Sequence, residues 1–279
     1  MTALLLGAVW YRFFDRMHSA SGSGEAAIAS TPQQEAALGL EAYKEILTQS
    51  QAVASGAEPA RIQAIAQRLE AVAPKVEADL AAAHVSAPHT DWSAFDWQFS
   101  LLQSDQVDAF CLPGGKLAVD TGLLPVAQDD DALAVVIGHA IAHALLRHGI
   151  QRMAQQRLTR LGTIATGIAA GNLDPQRQRI AMGALGVGRQ FGVLLPFSRK
   201  DESAADRLGL MLTAAACFDP QAAIPLWRRM DQEGNGQHQP EFLAMHPDSA
   251  QHILRLQEWM PRALAMRQKD CAQTAAPAP

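Results

Sequence analysis

The stretch GHAIAHALLRHG, residues 138–149, places two histidines four positions apart on a predicted helix. Four residues make slightly more than one helical turn, so the imidazoles of His139 and His143 project from one face and can reach a single cation. The residue after His139 is Ala140, whereas the HExxH motif of zinc hydrolases has its general base, a glutamate, at that place. The spacing therefore indicates a metal site without a catalytic base, and the alternative is a pair of hydrogen-bonded histidines in the core.

A second stretch, FSRKDESAADRLGL at residues 197–210, supplies a candidate for the third ligand. Glu202 and Asp206 stand four positions apart on another predicted helix and therefore share one of its faces. Two histidines and one glutamate leave a fourth coordination position open, which is the arrangement of a catalytic zinc rather than a structural one. We therefore predict that Glu202 joins His139 and His143 around one metal.

Four segments resemble, in this order, the M48 family of zinc metallopeptidases, which includes the Ste24, Oma1-like and bacterial envelope quality-control proteases. They are VDAFCLPGGKLAVDTGLL (107–124), VVIGHAIAHALLRHG (135–149), FSRKDESAADRLGL (197–210) and FLAMHPDSAQHI (242–253). The resemblance implies an α+β, mainly helical fold: a zincin-like catalytic domain with a small β-sheet next to the active-site helix. It also implies one Zn²⁺ per chain, held by His139, His143 and Glu202, in an endopeptidase that acts on unfolded or misfolded envelope and membrane proteins.

The resemblance also implies roles for residues around the metal. Asp206 is expected to accept the distal N–H of a ligand histidine and so fix its tautomer. His246 is expected to stabilise the developing oxyanion or to act as a fourth ligand, and the alternative is that it caps a helix beginning near Asp248. A glutamate at position 140 would take the proton of the attacking water and pass it to the leaving amine.

Two residues depart from the family pattern: Ala140 replaces the glutamate, and Asp108 stands where asparagine is usual. The second change is mild, but the first removes the general base. Because the three ligands are intact, we interpret Ala140 as an introduced Glu-to-Ala substitution that makes the chain inactive. The alternatives are a natural pseudoprotease that binds protein segments without cleaving them, and a helical protein that holds no metal.

Composition indicates one substantial core. The chain has 279 residues, of which 48 % are hydrophobic, and its net charge is −5. Combined with the resemblance, this composition predicts one metallopeptidase domain with N-terminal helices over residues 32–268, preceded by an apolar segment and flexible linker (1–31) and followed by a disordered tail (269–279). The basic residues are dispersed, so a nucleic-acid partner is not expected. The three cysteines show no CxxC spacing, although Cys217 and Cys271 could pair in an oxidising compartment.

Helix and strand patterns set the expected framework. Helices are predicted at residues 32–51 and 59–84, with Pro74 expected to kink or divide the second. Short strands are predicted at residues 97–103, 106–112 and 116–121. The resemblance implies that polypeptide substrates bind in extended form along an edge strand of this sheet. His148, five positions after His143, is expected to be rotated away from the ligand face and to be structural, with a hydrogen bond to a neighbouring element as the alternative.

Two apolar stretches leave the relation to a membrane open. The run at residues 3–10 is too short to span a bilayer, and residues 161–197 are predicted to form a helical hairpin over the core, with a membrane-facing or oligomer-forming hairpin as the alternative. Together with the resemblance, this predicts a bacterial cell-envelope location, periplasmic or membrane-associated.

Overall fold

The computed structural model of the protein describes residues 31–152, 197–234 and 249–272. It is a mainly helical α+β fold with one three-stranded sheet, which confirms the predicted fold class. The helices are α1 (Pro32–Gln49), α2 (Ala57–Ala82), α3 (Leu124–Ala127), α4 (Asp130–Leu145), α5 (Arg199–Ala215), α6 (Ala223–Gly234) and α7 (Ser249–Cys271). The strands are β1 (Gln98–Leu102), β2 (Ala109–Leu112) and β3 (Lys116–Asp120), and 3-10 turns lie at Trp92–Ala94, Thr121–Leu123 and Pro220–Ala222.

Helix α4 is the centre of the core. Every residue from Ala132 to Leu145 is buried, as expected for a helix that is apolar on all sides. The Asp129 side chain begins the helix by accepting a hydrogen bond from the Ala132 N–H at 2.8 Å. The helix ends before Arg147, whose φ of 58° reverses the chain.

Helices α4 and α5 cross with their backbones in close contact. A Cβ atom on Gly209 would lie 2.8 Å from both Cα and N of His139, and one on Gly138 would lie 3.0 Å from the Gly209 carbonyl oxygen. Beside this crossing, the Thr213 hydroxyl donates to the Gly209 carbonyl at 2.9 Å. The crossing therefore depends on glycine in both helices, and it places α5 directly against the histidine-bearing turn of α4.

Helix α2 is not divided at Pro74, although division was one of the two outcomes predicted there. The helix is continuous from Ala57 to Ala82, with Pro74 inside it. Proline cannot donate to the carbonyl four residues earlier, a loss that disfavours the helix interior. Here a long apolar stripe packs on the core and offsets that loss; its buried members are Ile62, Ile65, Ala66, Leu69, Ala73, Val76 and Leu80.

The sheet has the order β1-β3-β2, with β1 parallel and β2 antiparallel to β3. The outer side of β1 is occupied by the segment after α1, because the Val53 N–H donates to the Leu101 carbonyl at 2.8 Å and Ala52 forms a bridge with Leu102. Strand β2 therefore forms the opposite edge, and it packs against α4.

The C-terminal end of α7 is linked to the core by a disulfide and by an ion pair. A disulfide joins Cys217, just after α5, to Cys271, with the Cα atoms 5.6 Å apart. Lys75 on α2 contacts the Asp270 carboxylate at 2.8 Å. These links explain why α7 continues to Cys271, so that residues 269–271, predicted as the start of a disordered tail, are helical.

Some predictions fall on residues that the structure does not describe. These residues include the apolar run at 3–10, nearly all of the predicted hairpin at 161–197, and His246. Within the described ranges, no helix is both long and apolar enough to cross a membrane.

The helix crossing gives a first prediction. Gly209→Ala should lower the free energy of unfolding by about 1–3 kcal/mol, because the added methyl group must push two packed backbones apart. Gly149→Ala is the matched control, since a Cβ there meets nothing within 4 Å. Urea unfolding followed by circular dichroism measures both, and equal midpoints for the two variants would contradict the prediction.

Candidate metal centre

The structure brings His139, His143 and Glu202 together in the core. The two Nε2 atoms lie 3.0 Å apart, and each lies 3.6 Å from a different carboxylate oxygen of Glu202. All three side chains are buried. Among the described residues, this is the group of histidine, cysteine and acidic side chains whose ligand atoms converge closely enough to hold a metal ion.

The donor set fits a divalent cation. Ligand atoms of a tetrahedral zinc site with bonds of about 2.0–2.1 Å lie about 3.3 Å from one another. The distances of 3.0 Å and 3.6 Å between these donors fall on either side of that value. Two imidazole nitrogens and one carboxylate also match zinc in ligand type, and three protein ligands leave one position for a water or substrate.

Asp206 lies behind His139. Its Oδ1 atom is 3.2 Å from Nδ1 of His139. Burial opposes ionisation of this carboxyl, yet hydrogen bonds from His139 and His252 hold its pKa well below the usual range. An ionised Asp206 keeps the proton of His139 on Nδ1 and leaves the Nε2 lone pair facing the site.

His148 has the corresponding place behind His143, contrary to the expectation that it is rotated away. Its Nδ1 atom lies 3.1 Å from Nδ1 of His143. Because α4 ends at Leu145 and Arg147 reverses the chain, residues 148–152 begin a new helical segment. The chain reversal therefore brings His148 back under the ligand, a change that helical spacing alone could not predict.

The protonation state of His148 allows its Nδ1 atom to accept a hydrogen bond from His143. Burial lowers its pKa to about 4, so the ring is neutral at neutral pH. Its Nε2 atom faces Asp201 at 3.7 Å, which favours a proton on Nε2 and leaves Nδ1 to accept from His143. In that tautomer, His143 also presents its Nε2 lone pair to the site.

The turn that carries His148 is anchored to α1. Nε and Nη2 of the Arg147 guanidinium both donate to the Glu35 carboxylate, with Nε 2.9 Å from Oε2. Glu35 is buried, and paired contacts of this kind fix the orientation of both groups.

His252 is a part of this centre that the sequence analysis missed. Its side chain is fully buried on α7 and lies flat on Trp227, with ring centroids 4.1 Å apart. Its Nδ1 atom is 2.7 Å from Asp206 Oδ2, and its Nε2 atom is 3.2 Å from Glu202 Oε2. Burial opposes its charged form, but the two carboxylates raise the pKa of His252 to about 9. The sequence offered only its place in the segment 242–253, where a lone histidine on a helix gives no distinctive signal.

Ala140 is buried beside His139 and contributes only a methyl group. The structure therefore places no proton acceptor at the position where the HExxH motif has its glutamate. His246, the other candidate for a catalytic role, lies outside the described residues.

Comparison with known proteins identifies the family. The sequence profile of Peptidase family M48 matches residues 65–260. The chain belongs to this family. Metalloendopeptidases are therefore its relatives, and the His-His-Glu group lies within the matched residues.

Individual relatives extend this result. The mitochondrial metalloendopeptidase OMA1 of Schizosaccharomyces pombe is 40 % identical over 181 residues, covering 64 % of this chain and 51 % of its own length. The human mitochondrial OMA1 is 32 % identical over 193 residues, covering 67 % of this chain and 37 % of its own length. The β-barrel assembly-enhancing protease of Escherichia coli is 30 % identical over 156 residues, covering 54 % of this chain and 32 % of its own length. The chain thus spans about half or less of these M48 relatives.

The geometry of the candidate metal centre predicts that zinc affinity depends on Glu202. Glu202→Gln should weaken zinc binding by at least about 100-fold, because a neutral amide replaces a charged ligand and loses more than an outer partner would. Zinc at 100 times the dissociation constant of the parent chain should raise the free energy of unfolding by about 2.7 kcal/mol in the parent and by about 0.4 kcal/mol or less in the variant.

Competition against a chromogenic chelator measures this zinc affinity. Glu41→Gln is the control, since Glu41 is exposed on α1 and far from the centre in sequence. Equal zinc affinity in the parent chain and the Glu202 variant would remove Glu202 from the ligand set.

Proposed function

We propose that the protein is a zinc-dependent endopeptidase of the M48 family that acts on unfolded or misfolded envelope or membrane proteins, present here in an inactive form. The observation that carries this proposal is the convergence of His139, His143 and Glu202 at the buried crossing of α4 and α5. A structural zinc would use four protein ligands, whereas three leave a position for chemistry.

The chain's own residues prepare this centre. Bound zinc would polarise the scissile carbonyl and make a water more acidic. Asp206 and His148 hold the ligand histidines in the tautomers that face the metal, and burial excludes other water. The remaining requirement is a group that moves a proton from the attacking water to the leaving amine, which the methyl of Ala140 cannot do.

Restoring the base tests this proposal. Ala140→Glu should raise the rate of cleavage of an unfolded protein by about 10²–10⁴-fold, the contribution of a positioned acid or base. A chelator should abolish the gain, and added zinc should restore it. Ala140→Gln is the matched control, because it has the same size and no proton acceptor.

A natural pseudoprotease is the second candidate, and Ala140 itself favours it. Such a protein would bind polypeptide segments through an intact cleft and leave them uncut. Continued inactivity of a zinc-loaded Ala140→Glu variant would support this binding role and contradict the proposed endopeptidase. Robust, chelator-sensitive cleavage by that variant would support the interpretation that Ala140 is an introduced substitution in an endopeptidase.

Strand β2 is the proposed binding edge for an extended substrate. The Asp120 N–H donates to the Asp108 carbonyl at 3.0 Å, so the alternation of an antiparallel ladder turns the N–H and C=O of Ala109 and Cys111 away from β3. The Ala109 N–H already donates to the Asp108 side chain at 2.8 Å, so Cys111 supplies the outward N–H for a substrate. Cys111 also lines a cavity with His143 and Arg147. An added strand at this edge would run past the metal centre, with main-chain contacts that accept many sequences.

Proline at Cys111 tests this binding mode. Cys111→Pro removes one outward N–H and should weaken binding of an unfolded peptide by about 3–10-fold, which corresponds to one hydrogen bond. Proline is tolerated on an edge strand where its nitrogen faces away from the ladder, and Cys111→Ala is the control that keeps the N–H. Fluorescence anisotropy with the inactive parent chain gives the affinity, and equal binding by the two variants would exclude the edge at Cys111.

A bacterial envelope location, periplasmic or membrane-associated, completes the proposal. Disulfides persist in oxidising compartments, and Cys217 and Cys271 form one. The Escherichia coli relative bears a name that refers to β-barrel assembly, which supports envelope or membrane proteins as the substrate class.

A further inference from the structure

A cavity of about 80 Å³ touches both the metal centre and the edge strand β2. His143 contributes to its wall from α4, and Cys111 contributes from β2. Other parts of the wall come from α1, from the segment before β1 and from the turn after α4. The cavity therefore lies where a chain bound along β2 would pass a metal ligand.

The buried part of the cavity wall is mostly apolar. Ala94, Leu145 and Ile150 line the cavity, and all three are buried. The cavity has about half the volume of a ~150 Å³ cavity that takes up benzene, so it suits an occupant of about three or four carbon atoms. The side chains of valine and leucine have this size.

The charged residues at the cavity already have partners within the protein. Arg147 donates to the buried Glu35 carboxylate through Nε at 2.9 Å, and Asp91 accepts from the N–H and the hydroxyl of Ser93 at 3.1 Å and 2.6 Å. A charged occupant would lose its hydration and compete with these pairs. Within the described ranges, the buried hydroxyl oxygen of Thr90 at this wall has no hydrogen-bond partner, so a hydroxyl-bearing side chain is the polar alternative.

A strand added at the edge of β2 would direct every second side chain toward this cavity. The side chain of Cys111 packs against the main core that includes α4, whereas Phe110 and Leu112 pack with Tyr43 in a separate cluster. Residues paired across neighbouring strands have their side chains on the same face, and successive side chains alternate between faces. The substrate residue that pairs with Cys111 therefore places its side chain beside Cys111, at the cavity.

We propose that this cavity is a side-chain subsite for an aliphatic residue of an extended polypeptide, next to the metal ligand His143. The proposal rests on the proposed function in that the polypeptide adds to the edge of β2. Aliphatic side chains are mostly buried in folded proteins and become exposed when proteins unfold. The subsite would thus give a binding edge made of main-chain groups a preference for unfolded segments.

Gly149 controls the space in this subsite. It lines the cavity in the helical segment after Arg147, and a Cβ atom there meets nothing within 4 Å. A larger side chain at this position can therefore enter the cavity without displacing its neighbours, and leucine is also a better helix former than glycine. Gly149→Leu should fill the subsite, whereas Ile150→Ala should enlarge it.

Peptide binding to the full parent chain tests the subsite without cleavage. The probes are labelled peptides of glycine, serine and alanine that differ at one central residue. A central leucine should bind about 10–50-fold more tightly than a central alanine, as expected for burying three more carbon atoms. Valine should bind more tightly than threonine, which has the same shape, and aspartate should bind no more tightly than alanine. Phenylalanine should bind less tightly than leucine because of its size, and fluorescence anisotropy gives each affinity.

Two variants and a control separate the cavity from other apolar surfaces. Gly149→Leu should bring the ratio of leucine to alanine affinity close to one, and Ile150→Ala should shift the preferred central residue from leucine to phenylalanine. Glu41→Leu adds a leucine at an exposed position of α1 outside the cavity wall, and it should keep the ratio of the parent chain. Circular dichroism confirms that each variant is folded.

Equal affinity of the parent for all central residues, or an unchanged leucine-to-alanine ratio in Gly149→Leu, would overturn the subsite. Tighter binding of threonine than valine, or of aspartate than leucine, would overturn its aliphatic occupant. If Gly149→Leu does not fold, the preference of Ile150→Ala decides. These results leave the proposed endopeptidase standing, because cleavage by Ala140→Glu requires no side-chain preference. A parent chain that binds none of the peptides would contradict the substrate edge and the subsite together.

Discussion

The backbone contact between α4 and α5 is the constraint on which the rest of the structure depends. Gly138 and Gly209 let the two helices approach until a single Cβ would collide with the backbone of His139. Glu202 and Asp206 lie seven and three residues before Gly209, so all three share the face of α5 that is pressed on α4. The same contact therefore sets the helix packing and brings the carboxylates to the histidines.

The candidate metal centre buries several titratable side chains, which has an energetic cost for the fold. Three histidines and two carboxylates, namely His139, His143, His252, Glu202 and Asp206, are buried together among apolar side chains. Burying such groups is unfavourable unless each finds a partner. The partners come from separate elements: Asp206 and His148 stand behind the ligand histidines, and α7 supplies His252. The metal centre and the tertiary packing are thus one network, and a bound cation would neutralise much of its charge.

The sequence predicted the local parts of this network better than the distant ones. The four-residue spacing placed His139 with His143 on one helix face and Glu202 with Asp206 on another. The need for a third metal ligand and the family resemblance then joined the two pairs. The expected orientation of His148 was wrong because its position depends on where α4 ends and on the left-handed backbone at Arg147. His252 was missed because its role arises only when α7 packs across α5 and Trp227. Pro74 was expected to kink or divide α2. It does not divide the helix, because the buried stripe outweighs one missing hydrogen bond.

The most direct test of this account is the coordination of zinc in the purified chain, measured by metal analysis together with zinc X-ray absorption. The account predicts one zinc per chain with two imidazole nitrogens and one carboxylate oxygen from the protein, despite the alanine at position 140. The absence of stoichiometric zinc, or a first shell containing sulfur or lacking imidazole, would contradict it.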